Sequence, residues 1–305
     1  MKKSALVALA LGAAFLLPRP ARAWDDVGHR VVARIAWETM RPQTRAWVIA
    51  LLMQAPDSSG IRDLLDPALP AAIRERELFV RAATWADIIR DKTVKGAAYH
   101  QPSWHYVNHF WEQAYEGAPP RISTRGTAGM LVDSLNAFER EIADPNLDAG
   151  RRAVLLAWVE HLTGDAHQPL HNSARMTLME PQGDHGGNDF KLEGTHSLHG
   201  YWDSALSRRF PLLAGETVES RVGRIAAGVM RREPASMFRR HLAPQDAAAW
   251  SMEGFATARQ AYPAELKRGQ EPVQSYAAWT NKVVDPAIAE AGYRLADTLE
   301  HAFGR

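Results

Sequence analysis

Histidine and aspartate recur four residues apart at two places in the chain, His161/Asp165 and His199/Asp203. Residues at i and i+4 lie on one face of a helix, so each pair can offer an imidazole and a carboxylate to the same cation. That combination of ligands suits zinc. A single pair is more often a solvated helix face, but two pairs with His171 between them indicate a metal centre.

The residues after the first pair predict where its helix ends. Proline disfavours the helical conformation of the residue before it, so the helix that carries His161 should end before Pro169. We expect His171 to turn back from the following loop toward the same side. His167, two residues after Asp165, is expected on another face of the helix, at the surface or behind the ligands.

Two further segments contain residues that could take part in chemistry, although neither is specific alone. Asp87 and Arg90 close an apolar helix three residues apart, which in isolation would suggest a surface ion pair. His105 lies between Trp104 and Tyr106, an arrangement that is more often found in a hydrophobic core.

The first 23 residues have the features of a signal peptide. Lys2 and Lys3 precede an apolar run over residues 5–17, and residues 21–23 form a small-x-small cleavage site. The run is too short to span a bilayer comfortably, so we expect an exported protein with no membrane anchor. Cleavage after Ala23 would free the α-amino group of Trp24, which has a pKa near 8 and becomes a nitrogen ligand when deprotonated. With His29 nearby, it could hold a further cation.

The composition of the mature chain limits its possible functions. Removal of residues 1–23 takes away four basic and no acidic residues, which leaves 282 residues with 32 basic and 35 acidic side chains, a net charge of −3. Binding of nucleic acid by a broad basic surface is therefore excluded, and bound cations would have to supply the positive field. The chain contains neither cysteine nor an N-x-S/T sequon, which favours a bacterial periplasmic or extracellular location.

The elements that must position these residues are mainly helices. Apolar residues recur at helical spacing in residues 31–36, 47–52, 78–83, 131–138, 154–159, 222–229, 247–261 and 278–303. The glycine-rich stretch from His171 to His199 departs from this pattern and contains an alternating segment at residues 189–193. We predict a long loop with a small β-hairpin there, and such loops are often functional. A single all-α domain over residues 24–305 accounts for the whole pattern.

The motifs, in their order along the chain, resemble those of the S1/P1 nuclease family. They are Trp24, Gly-His-Arg at His29, Trp-Ala-Asp-x-x-Arg at Asp87, Trp-His-Tyr at His105, His-x-x-x-Asp-x-x-Gln-Pro-Leu-His from His161, Gly-Gly-Asn, and Leu-His-x-x-Trp-Asp at His199. They are more distantly similar to those of the zinc-dependent phospholipases C. The resemblance runs from Trp24 to Asp203, and the last third of the chain matches only as helices.

The resemblance implies three zinc ions at the bottom of a cleft. The first would be held by Asp87, His105, His161 and Asp165. The second would be held by His171, His199 and Asp203, which leaves an open position, as catalytic zinc requires. The third would be held by the amino nitrogen and carbonyl oxygen of Trp24, by His29, and by Asp165 as a bridging ligand.

The resemblance also implies an endonuclease and 3′-nucleotidase that cleaves single-stranded DNA and RNA to 5′-phosphorylated products. Asp87 and Asp165 would act in catalysis through the metals, and Arg90 would neutralise charge on the phosphoryl group. Tyr106 would stack on a base, and Asn108, His185 and Asn188 would contact the base as well. We expect the enzyme to be a monomer.

Two other functions remain open at this point. A zinc-dependent phospholipase C typically has glutamate as the third ligand of its second site, where this chain has Asp203. A non-catalytic exported zinc-binding protein would use metal in place of disulfides, but it gives no reason for Arg90 and Tyr106 to accompany the ligands.

Overall fold

The computed structural model describes residues 24–194, 196–238 and 246–304, and the predicted signal peptide at residues 1–23 lies outside the described residues. The helices are α1 (Asp26–Thr39), α2 (Pro42–Leu52), α3 (Ala71–Ala82), α4 (Trp85–Ile88), α5 (Leu131–Ala143), α6 (Ala149–Ala166), α7 (Leu198–Asp203), α8 (Ala205–Arg209), α9 (Val218–Arg232), α10 (Ala235–Phe238), α11 (Ala247–Ala258) and α12 (Gln274–Phe303). The prediction of a mainly helical fold is confirmed.

Helix α6 lies at the centre of the molecule. Every side chain from Ala153 to Ala166 is buried, whereas a helix at the surface buries only one stripe. Helices α1, α2, α5 and α12 are among those that pack against it. The polar residues in the second half of α6 are therefore held in the protein interior, where each of them needs a partner.

The ends of α1 and α6 follow from local sequence. The carboxylate of Asp25 caps α1 by accepting hydrogen bonds from the backbone N–H groups of Val27 and Gly28, which starts the helix one turn before His29. Helix α6 ends at Ala166, before Pro169, as predicted.

A small sheet interrupts the helical pattern after Tyr106. Strand β1 (Val107–Glu112) pairs antiparallel with β2 (Arg121–Ile122) and β3 (Ala128–Gly129), and parallel with β4 (Ser173–Met176). The sequence analysis did not predict this sheet. The hairpin predicted around residues 189–193 amounts, within the described part of that loop, to one antiparallel bridge between Lys191 and Ser197.

Large aromatic residues fill the core around α6. Trp24, Trp85, Trp158 and Trp202 are all at most 1% exposed and belong to one continuous hydrophobic cluster. The cluster extends into α12, so the last third of the chain shares the core with the segments that carry the motifs. None of the described helices combines the length and the apolar character needed to cross a membrane.

Candidate metal centre

Histidine and aspartate side chains from separate elements converge beside α6. They form three groups: the first is His105, His161 and Asp165; the second is His171, His199 and Asp203; and the third is His29, Asp87 and His161. The third group joins His29 of the predicted third site to two ligands of the predicted first site. Within each group the ligand atoms lie within 4.8 Å of one another, and every residue is more than nine-tenths buried. The eight histidine and aspartate ligands predicted from sequence are thus brought together.

Asp165 lies between two sets of imidazoles. Its Oδ2 is 3.1 Å from Nδ1 of His105 and 3.3 Å from Nε2 of His161. Its Oδ1 is 3.4 Å from Nε2 of His29 and 3.9 Å from Nδ1 of His171. Ligand atoms around a tetrahedral zinc ion are about 3.3 Å apart. Oδ2, beside His105 and His161, and Oδ1, beside Nε2 of His29, therefore have neighbours that fit ligands to two different cations.

The rings of His171 and His199 are held with unprotonated nitrogens facing each other. Nδ1–H of His171 donates to the carbonyl of His105 (2.5 Å), and Nδ1–H of His199 donates to the carbonyl of Gly186 (2.7 Å). Both Nε2 atoms are then lone-pair acceptors, yet they are 3.0 Å apart. Two facing lone pairs repel each other, and a cation bound by both nitrogens would remove that repulsion.

His161 is oriented in the same way. Its Nδ1–H donates to the carbonyl of Ala83 (2.8 Å), so Nε2 presents a lone pair, which lies 3.0 Å from Nδ1 of His105. A hydrogen bond from the second nitrogen to a carbonyl is typical of histidines that bind metals. The ring also stacks on His29, with 3.9 Å between the ring centroids.

Several buried ligand atoms lack hydrogen-bond partners among the described residues. They are both ring nitrogens of His29, Oδ2 of Asp87, Oδ1 of Asp165 and Oδ2 of Asp203. Buried polar atoms without a partner are rare and call for an explanation. Bound cations would satisfy the carboxylate oxygens and Nε2 of His29, which faces Asp165, so the residues present fit metal ions.

The pKa values of His105 and His199 suit metal binding, whereas those of Asp203 and His161 would have to fall when a cation binds. Burial would lower the pKa of His161, but the charge of Asp165 raises it. Burial lowers the pKa of His105 to about 4 and that of His199 to about 3, so both rings are neutral at physiological pH. Burial also raises the pKa of Asp203 well above its ordinary value, and nearby carboxylates raise it further, against the effect of its hydrogen bond from Gln168. Burial alone would do the same to Asp165, but the surrounding imidazoles, His161 foremost, hold its pKa well below the ordinary value.

Three residues that the sequence analysis did not single out position the ligands. Gln168 donates from Nε2 to Oδ1 of Asp203 (2.6 Å), and its own Oε1 accepts from the backbone N–H of Leu170. A Cβ on Gly164 would lie 2.7 Å from Nδ1 of His29. Gly186 has a φ of 63°, and a Cβ there would lie 2.4 Å from the carbonyl oxygen of Leu170. Gln168 and Gly186 are named residues of the quoted motifs, which is the signal that could have revealed them, whereas Gly164 stands at an unspecified position.

Trp24 is fully buried and its backbone lies beside the second group. The neighbouring N–H of Asp25 donates to the carbonyl of Asp203 (3.0 Å). A Cβ on Gly28 would come within 2.6 Å of Cβ of Trp24, so glycine allows the close contact that holds the indole. The ligand role of Trp24 depends on the signal-peptide cut and stays a prediction.

A cleft of about 450 Å³ opens at the second and first groups. Its lining includes the five residues predicted to act on substrate, Arg90, Tyr106, Asn108, His185 and Asn188, together with the ligands His105, His171 and His199. One terminal nitrogen of Arg90 is 2.7 Å from Oδ1 of Asp87 and 3.3 Å from Nδ1 of His105. The structure thus places a guanidinium directly beside the metal groups, and the roles of these residues remain predictions.

Of the two positions expected for His167, at the surface or behind the ligands, the surface position is wrong. The residue is only 6% exposed, with Nδ1–H donating to the carbonyl of Thr163 (2.7 Å) and Nε2 accepting from Arg294 (2.8 Å). Helix α12 brings Arg294 over this face of α6, a contact that local sequence could not reveal.

Fold and site together define a class: a helical protein with a buried imidazole–carboxylate centre, suited to several metal ions, at the base of a cleft. The profile of the S1/P1 nuclease family matches residues 24–304, and the chain belongs to that family. Nuclease P1 from Penicillium citrinum is 22% identical over 194 residues, which cover 61% of this chain and 59% of that protein. Nuclease PA3 from a Penicillium species matches with the same identity and coverage. The chain therefore spans less than two thirds of the length of these relatives.

Proposed function

We propose that this chain is an exported zinc-dependent endonuclease that hydrolyses single-stranded DNA and RNA to 5′-phosphorylated products and also acts as a 3′-nucleotidase. The observation that carries the proposal is Asp165, whose two oxygens face different imidazole sets beneath a cleft that Arg90 and Tyr106 also line. Membership of a nuclease family supports the reaction class.

Three zinc ions would be divided among the convergent groups. Asp87, His105, His161 and Asp165 would hold the first, His171, His199 and Asp203 the second, and Trp24, His29 and Asp165 the third. When bound, zinc supplies a Lewis acid and lowers the pKa of water to about 7. The unpartnered atoms of His29, Asp87, Asp165 and Asp203 support this assignment.

Arg90 would supply the fixed positive charge of the protein itself. Its contact with Asp87 holds the guanidinium at the edge of the cleft, where charge on a phosphoryl group would develop during cleavage. A preorganised cation stabilises such charge more than solvent does, because it needs no reorganisation during the reaction. Asp87 would therefore act both as a metal ligand and as the residue that orients Arg90.

Tyr106 would select unpaired bases. A base can stack on its ring whatever the sequence, which contributes about 1–3 kcal/mol per base. Asn108, His185 and Asn188 line the same cleft and would hydrogen-bond the base edge. Bases in a duplex are already stacked and paired, so their faces are not available, and single strands are preferred.

Export would complete the site. We propose that cleavage after Ala23 gives a monomeric domain of residues 24–305, secreted or periplasmic, whose new amino group at Trp24 becomes a ligand. The burial of Trp24 and the hydrogen bond from Asp25 to Asp203 support a position near the metals.

Substrate assays on the zinc-loaded chain starting at Trp24 test this function. Single-stranded DNA, RNA and a 3′-nucleotide should all be hydrolysed, whereas phosphatidylcholine should not. Hydrolysis of phosphatidylcholine alone would identify a phospholipase C. Stable zinc binding without hydrolysis of any of these substrates would identify a non-catalytic zinc-binding protein.

A further inference from the structure

Strand β1 connects the cleft to a second cavity. Alternate side chains of a strand point to the same face, so Asn108, Phe110 and Glu112 follow one another along one face of β1. Asn108 lines the cleft beside the metal groups, whereas Glu112 lines a separate cavity of about 560 Å³. The two cavities therefore lie at the two ends of one strand face, about 13 Å apart at 3.3 Å per residue.

The second cavity combines an aromatic ring, apolar walls and a cation. Tyr115, which lines it, is 67% exposed, and Leu178 is 90% exposed. Pro119 and Pro181 add apolar surface. Arg121 of β2 also lines the cavity and is the cross-strand partner of Glu112. A base with its phosphate needs an aromatic or apolar face and a nearby guanidinium, which is what this cavity offers.

A second cation lies between the two cavities. The guanidinium of Arg125 is 4.1 Å from the centroid of the Phe110 ring, and Arg125 is exposed. Arg121 and Arg125 are both exposed, and the two nearest acids of the adjoining loops do not pair with them. The neighbouring acids Glu116 and Glu180 are instead paired with Arg175 and Arg268.

We propose that this second cavity is a distal subsite for the single strand whose scissile phosphate occupies the metal cleft; the inference rests on the proposed nuclease function. A strand bound in the metal cleft would pass Arg125 and reach the second cavity after about four nucleotides at 3.4 Å per stacked base, or fewer if the strand is extended. Nucleic acid is favoured over an apolar partner because the cations follow the path from the cleft, whereas a purely apolar contact would not require them.

The test compares a dinucleotide with an octanucleotide on zinc-loaded protein. A Tyr115→Ala/Arg121→Gln double variant should have a KM for the octanucleotide about five- to tenfold above that of wild type, as expected when one stacked base is lost. Its Kd for a non-hydrolysable phosphorothioate octanucleotide, from fluorescence anisotropy, should rise by the same factor. Glu112→Gln removes a negative charge from the cavity and should lower that Kd.

The matched control is Trp47→Ala/Arg231→Gln, which removes an exposed aromatic residue and an exposed arginine elsewhere. The control should leave octanucleotide binding at the wild-type value. Equal octanucleotide KM and Kd in the double variant and the control would overturn the subsite. Binding to phosphatidylglycerol vesicles, or self-association in sedimentation, that the double variant alone loses would assign the cavity to lipid or to a second copy and would also overturn it. Failure of wild type to cleave either oligonucleotide would instead contradict the nuclease function, while the anisotropy titration would still test the subsite.

Discussion

Helix α6 and the turn after it present histidines to two buried polar clusters whose hydrogen bonding differs. In the cluster around His167, both ring nitrogens have protein partners, Thr163 on one side and Arg294 on the other. Arg294 is in turn paired with Glu253 and Glu290. Both nitrogens of the His167 ring are therefore satisfied by hydrogen bonds within the protein, and the cluster gives no sign of a missing cation.

In the cluster around His161 and Asp165, several buried polar atoms lack such hydrogen bonds. Nε2 of His171 and Nε2 of His199 are both hydrogen-bond acceptors, yet they face each other. One carboxylate oxygen of Asp165 and one of Asp203 also lack hydrogen-bond partners among the described residues. Both clusters are buried and both contain histidine, so neither burial nor residue type distinguishes them. The second cluster is distinguished by two lone pairs that point at each other, an arrangement that a bound cation would explain.

The largest effect in this comparison is expected from Asp165. Asp165→Asn removes charge from two metal groups at once and should lower kcat by at least about 1000-fold, with loss of zinc from both sites. Asp203→Asn should remove zinc only from the second group. Steady-state kinetics combined with elemental analysis check both variants, and near-normal turnover with full zinc in Asp165→Asn would refute the bridging role.

Arg90 and Tyr106 should separate chemistry from base recognition. Arg90→Ala should lower kcat by about 100- to 1000-fold, because its charge acts mainly in the transition state. Tyr106→Ala should raise KM for dinucleotides by about five- to 100-fold, with the zinc content unchanged. The opposite pattern in steady-state kinetics would show that the two roles are interchanged.

One residue added before Trp24 tests the third group. An additional Met turns the amino group into an amide, which is a poor zinc ligand, and should remove one zinc and most of the activity. If Trp24 only anchors α1, the extended chain should retain the wild-type zinc content. Elemental analysis and single-strand cleavage of the two forms, compared side by side, decide the matter.

The smallest effects on catalysis come from residues that support each cluster. Gln168→Ala leaves one oxygen of Asp203 without its donor and should lower activity or zinc affinity about 10- to 100-fold. His167→Gln should leave the zinc content unchanged and lower the free energy of unfolding by about 1–3 kcal/mol. Loss of zinc in His167→Gln would remove the distinction between the two clusters.

The sequence predicts the helices and the shared face of His161 and Asp165 because both depend on local spacing, while the ligand roles stay predictions. The pair His161/Asp165 needs only the helical repeat to share a face, and α6 ends before Pro169 as expected. The paired glycines and Gln168 occur in the sequence motifs. The close approach of Gly186 to Leu170 and the hydrogen bond from Gln168 to Asp203 are known only from the three-dimensional structure.

Long-range contacts explain what the sequence did not predict. Strand β1 has partners of only two to four residues, and its parallel partner β4 is about sixty residues away, so neither gives a local pattern. A surface position was one of the two expected for His167, because nothing nearby in sequence indicates that Arg294 covers it.

Anomalous diffraction at the zinc edge, together with elemental analysis of the undamaged chain starting at Trp24, tests the central claim most directly. Three anomalous peaks are expected, one at each group, with Asp165 between two of them. Chelation of these ions should abolish activity and lower Tm by at least about 10 °C, because the metal-binding energy is also folding energy and the chain contains no disulfide. Fewer than two zinc ions in a fully active chain would contradict the account.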